Sequence, residues 1–210
     1  MTAPSPAARR RGRPGHDLES VLDAAVALFI ERGFDGTSID DLARRLGISK
    51  SAVYHHIASK DALLGLALDR ALTGLEEVAA RVRALQGPAI ERLTTLVGAS
   101  VEVLVERLPY VTVLVRVRGN TAVEREALAR RRRLDRLAAD LVRQAVAAGD
   151  LRPDLDPALT ARLVFGTVNS LTEWLKPGGR HDPAALAAAV TTTLLDGLRT
   201  QVGASTVATV

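Results

Sequence analysis

The chain of 210 residues contains no cysteine. That excludes disulfides, thiolate metal sites and cysteine nucleophiles, and it fits a reducing cytoplasm. Histidine is scarce, at 4 residues, and no histidine–carboxylate metal motif is present. There is no glycine-rich loop of the kind that cradles a phosphate. Carboxylates are scattered at helix starts and in salt-bridging positions rather than clustered. Together these absences argue against an enzyme, a cofactor or a bound metal. No apolar run approaches the ~20 residues of a membrane span. The N-terminus lacks the apolar core of a signal peptide. Aromatic residues make up 3%, with Trp174 the single tryptophan.

The formal charge is +4, but it does not mark one region. Residues 1–60 carry 9 basic and 7 acidic side chains, and the remaining 150 carry 19 and 17. Any basic surface must therefore come from local placement. The length suffices for a full core in one or two domains.

The most informative stretch is residues 33–60, GFDGTSIDDLARRLGISKSAVYHHIASK. Ser38 can cap a short helix, with Asp41 as a shortened capping-box partner. Ile39, Leu42, Ala43 and Leu46 then give one apolar face. Gly47 supplies the left-handed position that ends the helix, and Ile48 plugs the corner. Ser49 caps a second helix in which Ala52, Val53 and Ile57 face inward. Ser49, Lys50, Ser51, Tyr54 and His55 are left toward the outside. A helix of that composition suits the major groove, where Ser and Lys reach base edges and Tyr and Lys fix phosphates. The bland alternative is a helical hairpin with no nucleic acid. Three neighbours weigh against it. A helix from about Asp17 to Arg32 supplies a third core element. A basic arm (Arg9, Arg10, Arg11, Arg13) precedes that helix and can follow phosphates or enter a minor groove. Ser59-Lys60-Asp61 caps a fourth helix and sets a lysine at its start, where a phosphate is favoured.

The ordered residues Ala25, Leu28, Phe29, Gly33-Phe34, Thr37, Ile39, Leu42, Ala43, Gly47-Ile48-Ser49, Val53-Tyr54-His55-His56 and Lys60-Asp61-x-Leu63 resemble the DNA-binding domain of the tetracycline-repressor (TetR) family of transcriptional regulators. The match covers about a quarter of the chain. Ser51 stands where the family often has Gly, and Ile57 where it often has Phe. The resemblance implies phosphate contacts from Thr37, Tyr54, His55 and Lys60, with Ser49, Lys50 and Ser51 entering the groove. Arg11 and Arg13 of the arm join this set. His55 and His56 invite a metal reading. It is rejected, because adjacent helical residues diverge by about 100° and no further ligands complete a site.

The rest reads as helix, broken at Gly87-Pro88, Gly119-Asn120, Gly149-Asp150 and Pro177-Gly178-Gly179. Long helices are expected over about 60–84, 89–107 and 121–148. The VTVLV segment near Tyr110 alternates like a strand, but a lone strand has no partner, so a short buried helix is expected. Asp156-Pro157 starts a helix running to about Lys176, and Asp182-Pro183 starts another ending near Arg199. The expected architecture is all-α, about nine helices. A disordered basic arm (1–15) leads into a helix-turn-helix domain (16–60). A larger effector-binding and dimerisation domain (61–202) and a disordered tail (203–210) follow.

By the resemblance, the last two long helices pair with their symmetry mates as a four-helix bundle. The face would comprise Leu159, Leu163, Gly166 and Ser170, with Leu186, Ala189, Val190, Thr193, Leu194 and Gly197. The alternative is packing within one subunit. A homodimer suits a palindromic operator. The middle helices should enclose a small-molecule effector. Candidate lining residues are Tyr110, Leu114, Phe165, Asn169 and Trp174, although interface packing explains Trp174 equally well. Residues 116–136 hold eight arginines against three acids. A solvated helix face is the usual account of such a run. Four consecutive arginines circle the helix, however, and guanidinium forks bind phosphates and carboxylates. Arg116, Arg130 and Arg133 join the candidates. The arginine-rich helix with Gly166-Thr167-Val168-Asn169-Ser170 and Trp174 is similar to TetR-type regulators answering to acyl-coenzyme A esters. An uncharged hydrophobic effector is the competitor. A DNA-binding dimer with no small-molecule control is the alternative function. By the resemblance, the effector would release a repressor from its operator.

Overall fold

The computed structural model describes residues 17–199, which contain nine α-helices. The chain divides into two compact units between Lys60 and Asp61. The arm with Arg11 and Arg13, and the tail 203–210, lie outside the described residues.

In the first unit, α1 (Leu18–Arg32), α2 (Ile39–Leu46) and α3 (Lys50–His56) pack on one another. Asp17 caps α1 by accepting the Ser20 amide at 2.8 Å. Ser38 and Asp41 form a reciprocal capping box on α2, which satisfies two otherwise orphaned donors. Gly47 ends α2 at φ +68°, a conformation that side chains resist. The core is Val21, Leu22, Ala25, Leu28 and Phe29 from α1, Leu42 from α2, and Val53 with Ile57 from the third helix. Arg45 of α2 pairs with Glu31 of α1 at 2.8 Å, and Arg32 pairs with Asp41 at 3.2 Å. Both pairs are exposed, so they orient the helices more than they stabilise them.

The second unit holds most of α4 (Lys60–Ala84), then α5 (Ala89–Glu106), α6 (Leu108–Arg116), α7 (Ala122–Ala147), α8 (Pro157–Ser170) and α9 (Pro183–Asp196). The VTVLV segment is helical within α6, where its buried residues Val111, Thr112, Val113 and Leu114 serve the core. α7 opens on a second capping box, Thr121 with Glu124. The buried Glu124 carboxylate also accepts the Gly119 amide at 3.0 Å. α5 is the central helix, with α9, α7 and α8 packed around it, and α7 packs along α8. α8 is shorter than the expected helix to Lys176. It stops at Ser170 and tightens into a 3-10 turn, Leu171–Glu173, which buries Leu171 and Thr172. α9 likewise ends at Asp196, and the Arg152 amide then donates to Leu198 O at 3.1 Å. Among the described residues, no helix is long and apolar enough to cross a membrane.

Candidate nucleic-acid interface and effector cavity

The second helix of the pair, α3, is short and fixed at its start by its own cap. Ser49 Oγ accepts the Ala52 amide at 3.1 Å and is hydrogen-bonded to the Ser51 hydroxyl at 2.9 Å. Val53 is fully buried and anchors the helix, while Lys50, Ser51, Tyr54 and His55 are exposed. Tyr54 leaves 48% of its surface in solvent, so about half of this large amphipathic side chain is open to a partner. The Lys50 ammonium lies 2.9 Å from Asp40 on α2. That carboxylate holds the lysine pKa above its ordinary value, so the group stays cationic at neutral pH.

Two side chains expected at phosphates are engaged elsewhere. Thr37 is buried, and its hydroxyl lies 2.8 Å from Gly33 O and 3.3 Å from Leu28 O. Lys60 donates from Nζ to Phe34 O at 2.8 Å and to Thr37 O at 2.9 Å. It also sits over the Phe34 ring, 4.2 Å from the centroid, and Phe34 packs edge-on against Phe29. The physical reason is the loop 33–37, whose carbonyls need donors that no helix supplies. Thr37 therefore braces the loop rather than presenting a hydroxyl, and Lys60 keeps one ammonium hydrogen outside these two bonds.

In the second unit, a small apolar cavity of about 30 Å³ lies among the helices. Leu75 of α4, Ser100 and Leu104 of α5, and Val111, Leu114 and Val115 of α6 line it. Arg131, Leu134 and Asp135 of α7 and Phe165, Val168 and Asn169 of α8 complete the wall. Its volume leaves room for about one water, below the roughly 300–1,000 Å³ of small-molecule sites, so a ligand there must part the helices. Beside it, a recess of about 160 Å³ between α4 and α7 is lined by Glu76, Arg83, Arg130, Arg131 and Arg133 over a floor of Leu72, Leu75, Ala79 and Leu134. Arg130 crosses this recess. It donates to both Glu76 oxygens, at 2.9 and 2.8 Å, and to Asp69. The fork is bidentate, the strong geometry for a guanidinium, and it holds the Glu76 pKa below the ordinary carboxylate range.

Two family models match the chain in series. "Bacterial regulatory proteins, tetR family" matches residues 21–67, and "Tetracyclin repressor-like, C-terminal domain" matches residues 86–198. The chain belongs to the TetR family. A TetR-family relative, the transcriptional repressor KstR2 of Mycobacterium tuberculosis, is 30% identical over 166 residues, covering 76% of this chain and 81% of KstR2. The crystal structure of SCO3833, a TetR regulator from Streptomyces coelicolor A3, is similar at 46% identity, with a TM-score of 0.79 over 86% of this chain and 91% of that one. The structure of AibR in complex with isovaleryl coenzyme A and operator DNA matches at 26% identity, with a TM-score of 0.69 over 85% and 97% of the two chains.

Within this TetR-family frame the expected pocket residues separate. Leu114, Phe165 and Asn169 line the cavity, and Arg130 and Arg133 line the neighbouring recess. Tyr110 lies outside both, its hydroxyl 3.3 Å from Arg70. Arg116 is exposed at the end of α6 and reaches neither space. Trp174 is also outside. The chain leaves helix after Ser170, so its ring is 51% exposed and packs edge-on against His181. Arg131 and Asp135 were not singled out as pocket residues, and their i,i+4 spacing on α7 carried the available signal. The expected dimer face stays open in the single chain: Leu159 is 55% and Leu163 62% exposed, with Gly166, Ser170, Ala189, Thr193 and Gly197 also exposed. Leu186, Val190 and Leu194 are half-buried.

Proposed function

We propose that this TetR-family regulator is a cytoplasmic homodimeric repressor, without catalytic activity, that leaves a palindromic operator when an acyl-coenzyme A ester occupies the second unit. One observation carries the reading: the same chain pairs an exposed helix bearing Lys50, Ser51, Tyr54 and His55 with an apolar cavity whose wall includes Arg131. The helix offers donors to base edges and phosphates, and the apolar lining of the cavity suits an acyl group once the helices open around it. The AibR structure supports the ligand class, because a protein of this fold holds both an acyl-coenzyme A and operator DNA. Leu159 and Leu163 support the dimer, since an unshared apolar stripe of that kind is covered in stable proteins. Two-fold symmetry then sets two α3 helices against half-sites about one helical turn apart.

Genomic fragments selected by the purified protein and footprinted define the operator. Fluorescence anisotropy of that operator is then read against isovaleryl-, octanoyl- and palmitoyl-coenzyme A. Release by at least one ester, with none by an uncharged hydrophobic panel, is the expected result. If all three esters leave the complex intact and show no calorimetric binding, the effector assignment fails, and a DNA-binding dimer without small-molecule control replaces it.

A further inference from the structure

Asp40 and Asp41 stand side by side in the first turn of α2, but they are engaged differently. Asp41 is committed to the fold. It accepts the Ser38 amide at 3.0 Å and the Ser38 hydroxyl at 2.6 Å, and it pairs with Arg44 and Arg32. Asp40 takes no part in that cap. Among the described residues its side chain has one partner, the Lys50 ammonium at 2.9 Å. Lys50 is the opening residue of α3, and the side chains of Asp40 and Lys50 are 59% and 52% exposed. An exposed ion pair of this kind adds little to stability, so the fold alone gives it no purpose. The opening residues of a recognition helix are those that reach base edges. The pair therefore brings an acceptor from α2 and a donor from α3 to one point on that surface.

We propose that Asp40 is a specificity-determining residue: with Lys50 it reads one G·C pair in each half-site, Lys50 donating to guanine and Asp40 accepting from cytosine. The proposal rests on the reading of α3 as the groove helix and extends it to α2. Across the major groove a G·C pair presents guanine N7 and O6, both acceptors, and then the cytosine N4 donor. An ammonium beside a carboxylate is complementary to that order. The lysine covers the two acceptors and the carboxylate takes the amine, so neither charge faces its own sign. An A·T pair interleaves the groups: adenine N7 accepts, N6 donates and thymine O4 accepts, with a methyl beyond. A carboxylate on N6 then has an acceptor on either side, and the lysine covers only one of them. Asp40 also restrains Lys50. A free lysine at the groove would be drawn to the phosphates of any sequence. The carboxylate cancels part of that indiscriminate attraction.

Selection from a random duplex pool by the full-length, effector-free protein tests this, together with binding measured at several salt concentrations. Wild type should fix one G·C pair per half-site, and Asp40→Ala and Lys50→Ala should each relax that same position by about tenfold. The double variant Asp40→Ala/Lys50→Ala should lose little more there than either single one, because the two side chains act as a unit. Asp40→Asn should admit adenine in place of cytosine, since an amide side chain suits adenine N6 and N7. Asp40→Ala should also bind unrelated duplex more tightly, with a salt slope steeper by about one ion per subunit. Both Asp40 variants retain the Ser38–Asp41 cap. If Asp40→Ala nevertheless unfolds, the adenine shift of Asp40→Asn decides. Asp40 variants that keep the wild-type base preference, while Lys50→Ala relaxes one position, overturn the joint reading and leave α3 as the groove helix. If Lys50→Ala changes no position either, the placement of α3 in the groove fails with it.

Discussion

Lys60 shows how one side chain can serve a DNA-binding unit from inside. Its ammonium satisfies two loop carbonyls and rests on Phe34, so removing it leaves both carbonyls without their donor. Lys60→Ala should lower the stability of the protein by about 1–2 kcal/mol in thermal or denaturant unfolding. Operator affinity should fall for every sequence, because the loop that sets α2 is loosened. The salt slope separates this role from a phosphate contact. A lost contact reduces the slope by about one ion, whereas a lost brace leaves it unchanged. We expect an unchanged slope. Asp135 makes a second case. Burial raises its pKa, so the folded protein holds that proton more tightly than the unfolded chain. Stability from this group is then full below the unfolded carboxylate value, about 3.9, and is lost as pH rises through the folded value. Asp135→Asn removes the cost of ionising it. The ligand-free variant should melt higher than wild type at pH 7, with the difference closing near pH 4. An equal gain at both pH values would assign the effect to packing instead of ionisation.

At the scale of elements, α8 carries two different faces. Thr160, Ala161, Val164, Phe165 and Val168 are buried in the chain, while Leu159, Leu163 and Gly166 point away from it. Leu163→Glu should therefore leave the fold of the single chain intact and act on association. By two-fold symmetry the change occurs twice, and each leucine removed from burial costs about 1.5–3 kcal/mol. Sedimentation equilibrium should show the dimer weakened by about a hundredfold or more. A variant that remains a tight dimer places the interface elsewhere. The helices themselves were legible in the sequence because their signals are local. Ser38, Ser49, Asp156 and Asp182 are caps at their own positions, and Gly47 needs only its own φ. The cavity was less legible. Its lining comes from five helices, and which turn of α7 faces inward is settled by packing. Arg130 and Arg131 are neighbours in sequence, yet one is bound to α4 and the other borders the cavity. The end of α8 misled for a related reason: residues 171–176 keep a helical pattern, but burial of Leu171 and Thr172 is achieved by a tighter turn.

At the scale of the molecule, α4 is the element that bears on both functions. Its first residue is bound to the loop 33–37, and its later turns supply Leu75 to the cavity and Glu76 to Arg130. A ligand that loosens DNA binding must bind one conformational state better than the other. The coupling is then reciprocal: operator must weaken acyl-coenzyme A binding by the same factor by which acyl-coenzyme A weakens operator binding. Such factors are typically about 5–150-fold. Arg130 joins α7 to α4 through Glu76 and Asp69 and lines the recess beside the cavity rather than the cavity itself. Arg130→Met keeps the bulk of that side chain and removes its hold on α4. Octanoyl-coenzyme A should bind the free variant within about threefold of wild type, because Arg130 does not line the apolar cavity. The two coupling factors should shrink together toward one, read by anisotropy with and without ligand and by calorimetry with and without operator. If the variant loses ligand affinity but keeps the wild-type factors, Arg130 belongs to the binding site and the connection from α7 to α4 runs through other contacts.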